Sequence, residues 1–519
     1  MKKHRIVYRI AALVFVFMLV LCAADIPVKA SGTNIPYDVN FSLGNDGSEI
    51  RFNWLSPDNN RPEVQITKSS NMKDGKFGTG SAVYGTVNAV SAAPGIKDYP
   101  DSTEKPTGEY ADKVVVSGLA PSTRYTYRVG DGTTWSKTYT FTTGAPGSGF
   151  SFAAFGDLQI GDFDNNISSP TPHKSISDDQ AGWADTLKKV TTKYPSINFF
   201  LVLGDQINEY DNLVKQQEQY VSFFNPDPNN NYLQNYPLVT IEGNHDHSMG
   251  KYYSCHFNPP NLSTLGQTEN NNVKNGDGDY WFIYHNVLFM ILDANAPNDT
   301  AAHDQFMKQA VAANPNVKWK IAAWHQSAYS AAGGSDNSTL FIRQNWSKLM
   351  DKYGVDVVFQ GHDHCYTRTY QMLGDLPVDT TLKNTVTNPK GTVYFTLDSS
   401  SGSKYYTYAS SVKLAFNAVS WQQYVPTYSY ITIDDTHFKI TTFRTDTEDS
   451  IDTYSITKTG LSQTHFPITQ QTNSSATPKN ETGDQRFGHL SPVSVVVITG
   501  VILLICAAAA LFTVKKRKY

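Results

Sequence analysis

The chain has 519 residues, 40% hydrophobic and 17% charged, which is enough apolar material for more than one packed domain and too much for a mostly disordered chain. A formal net charge of -4 offers no broad basic face to a phosphate backbone, so no stable nucleic-acid partner is expected. Of the four cysteines only Cys255 and Cys365 fall between the terminal apolar runs, which excludes a disulfide framework and leaves open one bridge or two buried thiols.

Taken from the amino end, residues 1–30 carry Lys2, Lys3, Arg5 and Arg9, then an apolar run over 10–24, then Val28, Lys29 and Ala30, the pattern of a signal peptide cleaved after Ala30. From 31 to 145, short alternating apolar and polar runs broken by Gly, Pro, Asn and Asp lack a helical period and predict an all-β sandwich. Its clearest part is 114–143, where VVVSGLAPSTRYTYRVGDG and WSKTYTFTT read as strand, turn and strand; residues 145–149 form a linker.

Beyond the linker, apolar strands alternate with helical segments over 150–457, as in layered α/β structure. Helices are predicted over 177–194, 301–313 and 339–353. Strands are predicted over 197–203, 238–241, 280–292 (two, turning at His285 and Asn286), 319–324, 355–359, 392–397 and 428–442. Residues 458–491, rich in Thr, Gln, Ser, Asn and Pro, read as a flexible stalk. The run 492–514 holds no ionisable residue and predicts a C-terminal transmembrane helix; the basic tail 515–519 stays cytoplasmic. The expected protein is therefore a single-pass cell-surface protein with its folded part outside.

Five polar strings each follow a strand-like apolar run: FAAFGDLQ at Asp157 and Gln159, FFLVLGDQ at Asp205, LVTIEGNHD at Asn244, His245 and Asp246, KIAAWH at His325, and VVFQGHDH at His362 and His364. One such string alone is usually a solvated turn. Five in succession converge, because ligand sites of open α/β sheets form at the carboxyl ends of strands. Asp, Asn and His together offer hard oxygen and imidazole nitrogen, a set suited to Fe, Zn or Mn rather than Ca or Mg. No GxSxG elbow is present for a serine triad, and the acids are escorted by histidines, unlike a glycosidase pair. His247, His256, His285 and His303 stand outside the strings and read as packing or surface residues.

The strings GD, GD, GNHD, WH and GHDH resemble those of the calcineurin-like metallophosphoesterases, specifically the purple acid phosphatase branch. SGLAPSTRYTYRVGDG with its following WS and FTT resembles the fibronectin type III-like domain that precedes catalysis there. The resemblance implies a layered α-β-β-α catalytic domain and two metal ions per chain, with Asp205 bridging them, Asp157 and His364 on the first, and Asn244, His325 and His362 on the second. It implies that His245 contacts phosphate or protonates the leaving group, that Asn244 also touches substrate, and that Asp246 orients His245 or its loop. Tyr366 and Arg368 resemble a family YxR string near substrate, with loop packing as the alternative reading. Tyr329, Ser330 and Asn337 are further candidate contacts. The implied activity is acid phosphatase-like hydrolysis of phosphate monoesters by metal-bound hydroxide. A phosphodiesterase or nucleotidase with the same centre is the alternative, and a non-catalytic surface binding protein a remoter one. The pattern departs at Gln159, where many members have histidine, and at Asn208, where purple acid phosphatases have tyrosine. Gln159 as a neutral oxygen donor, a displaced Tyr210, or water is left for that coordination place, and a ferric tyrosinate centre is not expected.

Overall fold

The computed structural model describes residues 35–459 except 93–104, 148, 164–169, 171, 248–251, 266–267, 271–272, 276–277, 333–336 and 408–414. The signal peptide, the membrane helix, the basic tail and all but the first two residues of the stalk lie outside the described residues. Among the described residues no helix is long and apolar enough to cross a membrane.

The first hundred or so residues form two facing antiparallel sheets. One runs Tyr37–Leu43, Ile50–Ser56, Lys105–Val116, Thr86–Ala92 in spatial order; the other runs Ala82–Tyr84, Glu63–Lys68, Arg124–Gly130, Tyr139–Thr142. Alternation of side chains along each strand turns Phe41 and Phe52 of the first sheet onto Tyr127 and Phe141 of the second, with ring centroids 4.7 Å apart for Phe52 and Tyr127.

The remainder of the described residues forms a four-layer α/β/β/α unit. Strands Phe150–Phe155, Phe199–Val202 and Leu238–Thr240 pair in parallel in one sheet, and Val287–Ile291, Trp319–Ala323, Val357–Gln360 and Val393–Thr396 pair in parallel in the other. Each parallel strand is apolar on both faces, and the two faces enter different cores. Phe152, Phe199, Leu201, Phe289, Phe359 and Phe395 meet between the sheets. Ala153, Phe155, Phe200 and Val202 point outward onto helices Ile176–Lys193 and Leu213–Phe224 through Trp183, Leu187, Tyr220 and Phe223. Leu288, Met290, Ala322 and Val358 point the opposite way, onto helices Thr300–Ala313 and Asn337–Tyr353 through Phe306, Met307, Ile342 and Trp346.

Local signals set the boundaries. Ser175 caps the first helix by accepting from the Asp178 N–H at 3.2 Å, and Asp299 caps the third by accepting from Ala302 at 3.2 Å. The hairpin between Tyr280–Tyr284 and Val287–Ile291 turns at His285 and Asn286, as predicted, with His285 in the left-handed region at φ 51°. Helix Leu213–Phe224 and strands Tyr366–Thr369, Asn417–Trp421 and Ser450–Thr457 are additions to the predicted elements. The predicted strand over 428–442 is two, Thr427–Ile433 and His437–Arg444.

The two sandwiches share a sheet. Ser42 pairs in parallel with Leu238, so the first N-terminal strand continues the catalytic sheet past its edge strand and the two join as one eleven-stranded sheet. Lys113 Nζ donates to the carbonyls of Ser254 and Phe257 at 2.7 and 2.6 Å, and Tyr127 donates to Gln234 O at 2.7 Å, so the segment after GNHD is braced from the N-terminal side. Cys255, half-buried, and Cys365, buried, are not joined in a disulfide.

Candidate metal centre

All five strings leave the carboxyl ends of parallel strands, two sheets contributing to one cluster. Asp157 follows Phe150–Phe155, Asp205 follows Phe199–Val202, Asn244 follows Leu238–Thr240, His325 follows Trp319–Ala323, and His362 and His364 follow Val357–Gln360. Ligand atoms of Asp205, His325 and His362 lie within 4.8 Å of one another. Asn244 Oδ1 is 3.0 Å from His362 Nδ1 and 3.2 Å from His325 Nε2, and His325 Nε2 is 3.2 Å from Asp205 Oδ2. On the other side, Asp157 Oδ1 is 3.7 Å from His364 Nε2 and from His325 Nε2.

The backbone holds these side chains in position. His325 Nδ1 donates to Leu203 O at 2.8 Å and His364 Nδ1 to Lys404 O at 3.2 Å, which turns both Nε2 atoms inward. The His362 N–H donates to both Asp157 oxygens at 2.9 and 2.7 Å, and the His245 N–H to Asp205 Oδ1 at 2.9 Å. Gln159, Asp205, His362 and His364 sit in the left-handed region at φ 39°, 47°, 73° and 45°, conformations that non-glycine residues keep only where the surroundings enforce them. Glycines precede the ligands because nothing larger fits: a Cβ on Gly243 would lie 2.1 Å from Asp205 Oδ1.

Electrostatics set the two carboxylates apart. Burial pushes Asp157 up, with the Asp205 charge adding to it and His325 opposing, to about 7. Burial also opposes the Asp205 charge, but His325 and His245 outweigh it and hold that carboxyl far below the usual range. Burial disfavours the His325 cation, yet Asp205 and Asp157 outweigh it and raise the imidazole to about 10. Burial, helped by Lys404, drives His364 well below its ordinary value. Adjacent buried acids with inward imidazole lone pairs form a donor set that cations satisfy.

A buried oxygen aimed at nothing supports the same fit. Gln159 is fully buried, and its Nε2 donates to Asn208 Oδ1 at 3.0 Å and to His245 Nε2 at 2.8 Å, while its Oε1 meets no hydrogen-bond donor. Of the three ways to fill the departing coordination place, the amide oxygen is therefore available within the cluster. Tyr210 is 53% exposed, its ring 5.9 Å from that of His245. Asn208, at the family tyrosine position, instead lends its carbonyl to His245 Nδ1 at 2.5 Å. Both ring nitrogens of His245 are thus engaged.

Other predicted residues take different places. Asp246 orients the loop rather than the His245 ring, accepting from Gly243 N at 2.9 Å and Gln206 N at 3.2 Å. Tyr366 and Arg368 are not at the substrate side: both are buried and bind Asp452, Tyr366 through its hydroxyl at 2.8 Å and Arg368 through Nε at 2.6 Å and Nη2 at 3.2 Å. Strand alternation is the reason, since the pair of side chains on one face of Tyr366–Thr369 points into the sheet packing with Tyr454, not toward the cluster. Tyr329 is core, its hydroxyl on Asp375 at 2.9 Å, and Ser330 closes a local turn with Ala332. His247 pairs with Glu242 at 3.2 Å, His303 with Asp279 at 2.8 Å, and His256 stacks on Tyr220 at 3.9 Å, all outside the cluster.

One contributor escaped prediction. The string DSSSGS over 398–403 also follows a parallel strand, Val393–Thr396. Ser399 donates to Asp157 O at 3.0 Å and Ser403 to Leu158 O at 2.8 Å, with Ser401 on the same carbonyl, so this loop holds the first ligand turn. Its position after a strand carboxyl end is the signal that would have found it.

Residues 36–143 match the family model described as the purple acid phosphatase N-terminal domain, and residues 150–366 that of the calcineurin-like phosphoesterases. Two uncharacterised Mycobacterium tuberculosis proteins are 34% identical over 95 residues, which is 17% of this chain and 18% of theirs. Purple acid phosphatase 15 of Arabidopsis thaliana is 24% identical over 374 residues, 64% of each chain. The chain thus spans less than two thirds of the length of these relatives. Among solved structures, a purple acid phosphatase from yellow lupin seeds superposes with a TM-score of 0.62 at 19% identity, covering 82% of this chain and 75% of that one, and shares its fold.

Proposed function

Because the chain belongs to the purple acid phosphatase-like branch of the calcineurin-like metallophosphoesterases, we propose that it is a metal-dependent phosphoric ester hydrolase acting on phosphate monoesters through a two-metal centre. The observation that carries this reading is the convergence of Asp205, His325 and His362 within 4.8 Å, with Asp157, Asn244 and His364 in contact around them. Asp157, His364 and Asp205 would hold one ion and Asn244, His325, His362 and Asp205 the other, with Gln159 Oε1 beside the first. Fe, Zn or Mn suits these donors. Bound there, the ions supply Lewis acidity toward the phosphoryl oxygens and the attacking water.

The chain's own groups do the rest. Two carboxylates among the ligands leave two divalent ions partly uncompensated, so the site favours a phosphate dianion over a neutral ester. His245, half-buried and with its backbone N–H on Asp205 Oδ1, would serve as the acid: as the imidazolium, with Nδ1–H held by the Asn208 carbonyl, it would pass the proton on Nε2 to the departing alkoxide and become the neutral Nδ1–H tautomer. Asp246 and the serines of 398–403 keep the loops from drifting, which matters because small misplacements of ligands are costly.

Elemental analysis of the purified chain, with hydrolysis of an aryl monoester, an aryl diester and a nucleotide before and after chelation, tests this. Two metals per chain and chelator-sensitive monoester turnover are expected; a metal-free chain that hydrolyses none of them after reconstitution refutes it, and diester preference moves it to a phosphodiesterase. The terminal runs support display at the cell surface by a C-terminal membrane helix, which protease shaving of intact cells tests.

A further inference from the structure

Exposed tyrosines are few on this molecule and unevenly distributed. Among the described residues only Tyr84, Tyr210 and Tyr406 are exposed, at 47%, 53% and 41%. Tyr84 is covered by Arg61, whose guanidinium carbon is 3.8 Å from the ring centroid. The other two adjoin the metal centre. Tyr210 lies 5.9 Å from the His245 ring at 75°, and Tyr406 lies 4.9 Å from the His364 ring at 71°.

The backbone that carries each ring is anchored. The Tyr406 N–H donates to His364 O at 3.3 Å, and Lys404, paired with Asp162 at 2.6 Å, lies 5.3 Å from the Tyr406 ring. The Tyr210 N–H donates to Glu209 Oε1 at 3.2 Å, and the Glu209 N–H is held by Gln219 Oε1 at 2.7 Å. A phosphoryl group has no use for a phenol face, since its charge is met by cations and N–H donors. Aromatic faces at the rim therefore address the other half of an ester, the alcohol, which leaves past His245. Flat rings gain most from such faces, in offset or edge-on stacking.

We infer that Tyr210 and Tyr406 select phosphate esters whose alcohol carries a flat aromatic ring, an aryl or nucleoside group. This rests on the phosphoesterase reading above. The test uses the full metal-loaded chain and matched pairs in which the broken bond is alike and the ring differs: a nucleoside 5′-phosphate against ribose 5-phosphate, and 2-phenylethyl phosphate against n-hexyl phosphate. The ring-bearing member is expected to win by about tenfold in kcat/KM, mainly through KM. Tyr210→Leu and Tyr406→Leu should each cut that ratio by about threefold, the Phe variants should keep it, and Tyr84→Leu should not move it. Preference in both pairs assigns the ring itself, in one pair alone the nucleoside or the aryl group. A ratio near one in the unmodified chain, a preference for the sugar phosphate, or ratios indifferent to both Leu variants overturns the inference while leaving the phosphoesterase reading intact. Hydrolysis of none of the four removes the monoesterase reading and the inference with it.

Discussion

The two ends of the same parallel strands differ in kind. At the amino ends of Phe150–Phe155, Phe199–Val202 and Leu238–Thr240 lies a cleft of about 840 Å³, lined by Arg124, Thr140, Asn198, Asn235, Asp434 and His437. It is roomy, yet its polar groups are scattered over loops of both domains. At the carboxyl ends six candidate ligands and four left-handed residues crowd together. Volume does not locate chemistry here. Chain direction does, because parallel strands of two facing sheets deliver every outgoing turn to one edge.

The sharpest way to break that contrast is to empty one end and then the other. Asp205→Ala should lower turnover by about a thousandfold or more and reduce bound metal, whereas Arg124→Ala in the cleft should change neither; kcat with elemental analysis decides. A second comparison asks whether Tyr366 and Arg368 belong to the site or to the fold. Arg368→Met leaves Asp452 buried without its partner, so a stability loss of about 3–5 kcal/mol is expected in denaturant titration, with metal content per folded molecule retained. Gly243→Ala probes the crowding itself: a Cβ there meets both the Asp205 carboxylate and its backbone nitrogen, so metal binding should weaken by about 10–100-fold in chelator competition and thermal stability should fall with it.

The smallest effect concerns pH. Burial disfavours the His247 cation, but Glu242 outweighs it and raises the imidazole to about 9. A folded-state value above the unfolded one means that the pair's contribution is complete below about pH 6.5 and is lost as pH rises through about 9. The urea midpoint should fall across that window in the unmodified chain and less so in His247→Gln.

The site was legible to the extent that each ligand is announced locally. A run such as FFLVL ending in GD states both a buried strand and the polar residue at its exit, and the period over 301–313 announces the helix found at Thr300–Ala313. Where the partner lies far along the chain, the strings were silent. YTR after GHDH reads equally as substrate contact or packing until Asp452, some eighty residues on, is known to sit beside it. The serine loop at 398–403 carries no distinctive residue type, only a position.

By itself, then, the order of residues determined the strand and helix periods, the polar strings at the strand exits and the departure at Gln159, since these depend on near neighbours and on side-chain chemistry. Tertiary structure alone decided that Ser42 pairs with Leu238 to fuse two domains into one sheet, that the Gln159 oxygen is buried without a donor while its nitrogen holds His245, and that Arg368 binds Asp452. Those outcomes are choices among distant partners, made by packing and by the need to satisfy buried polar groups, and no local pattern encodes them.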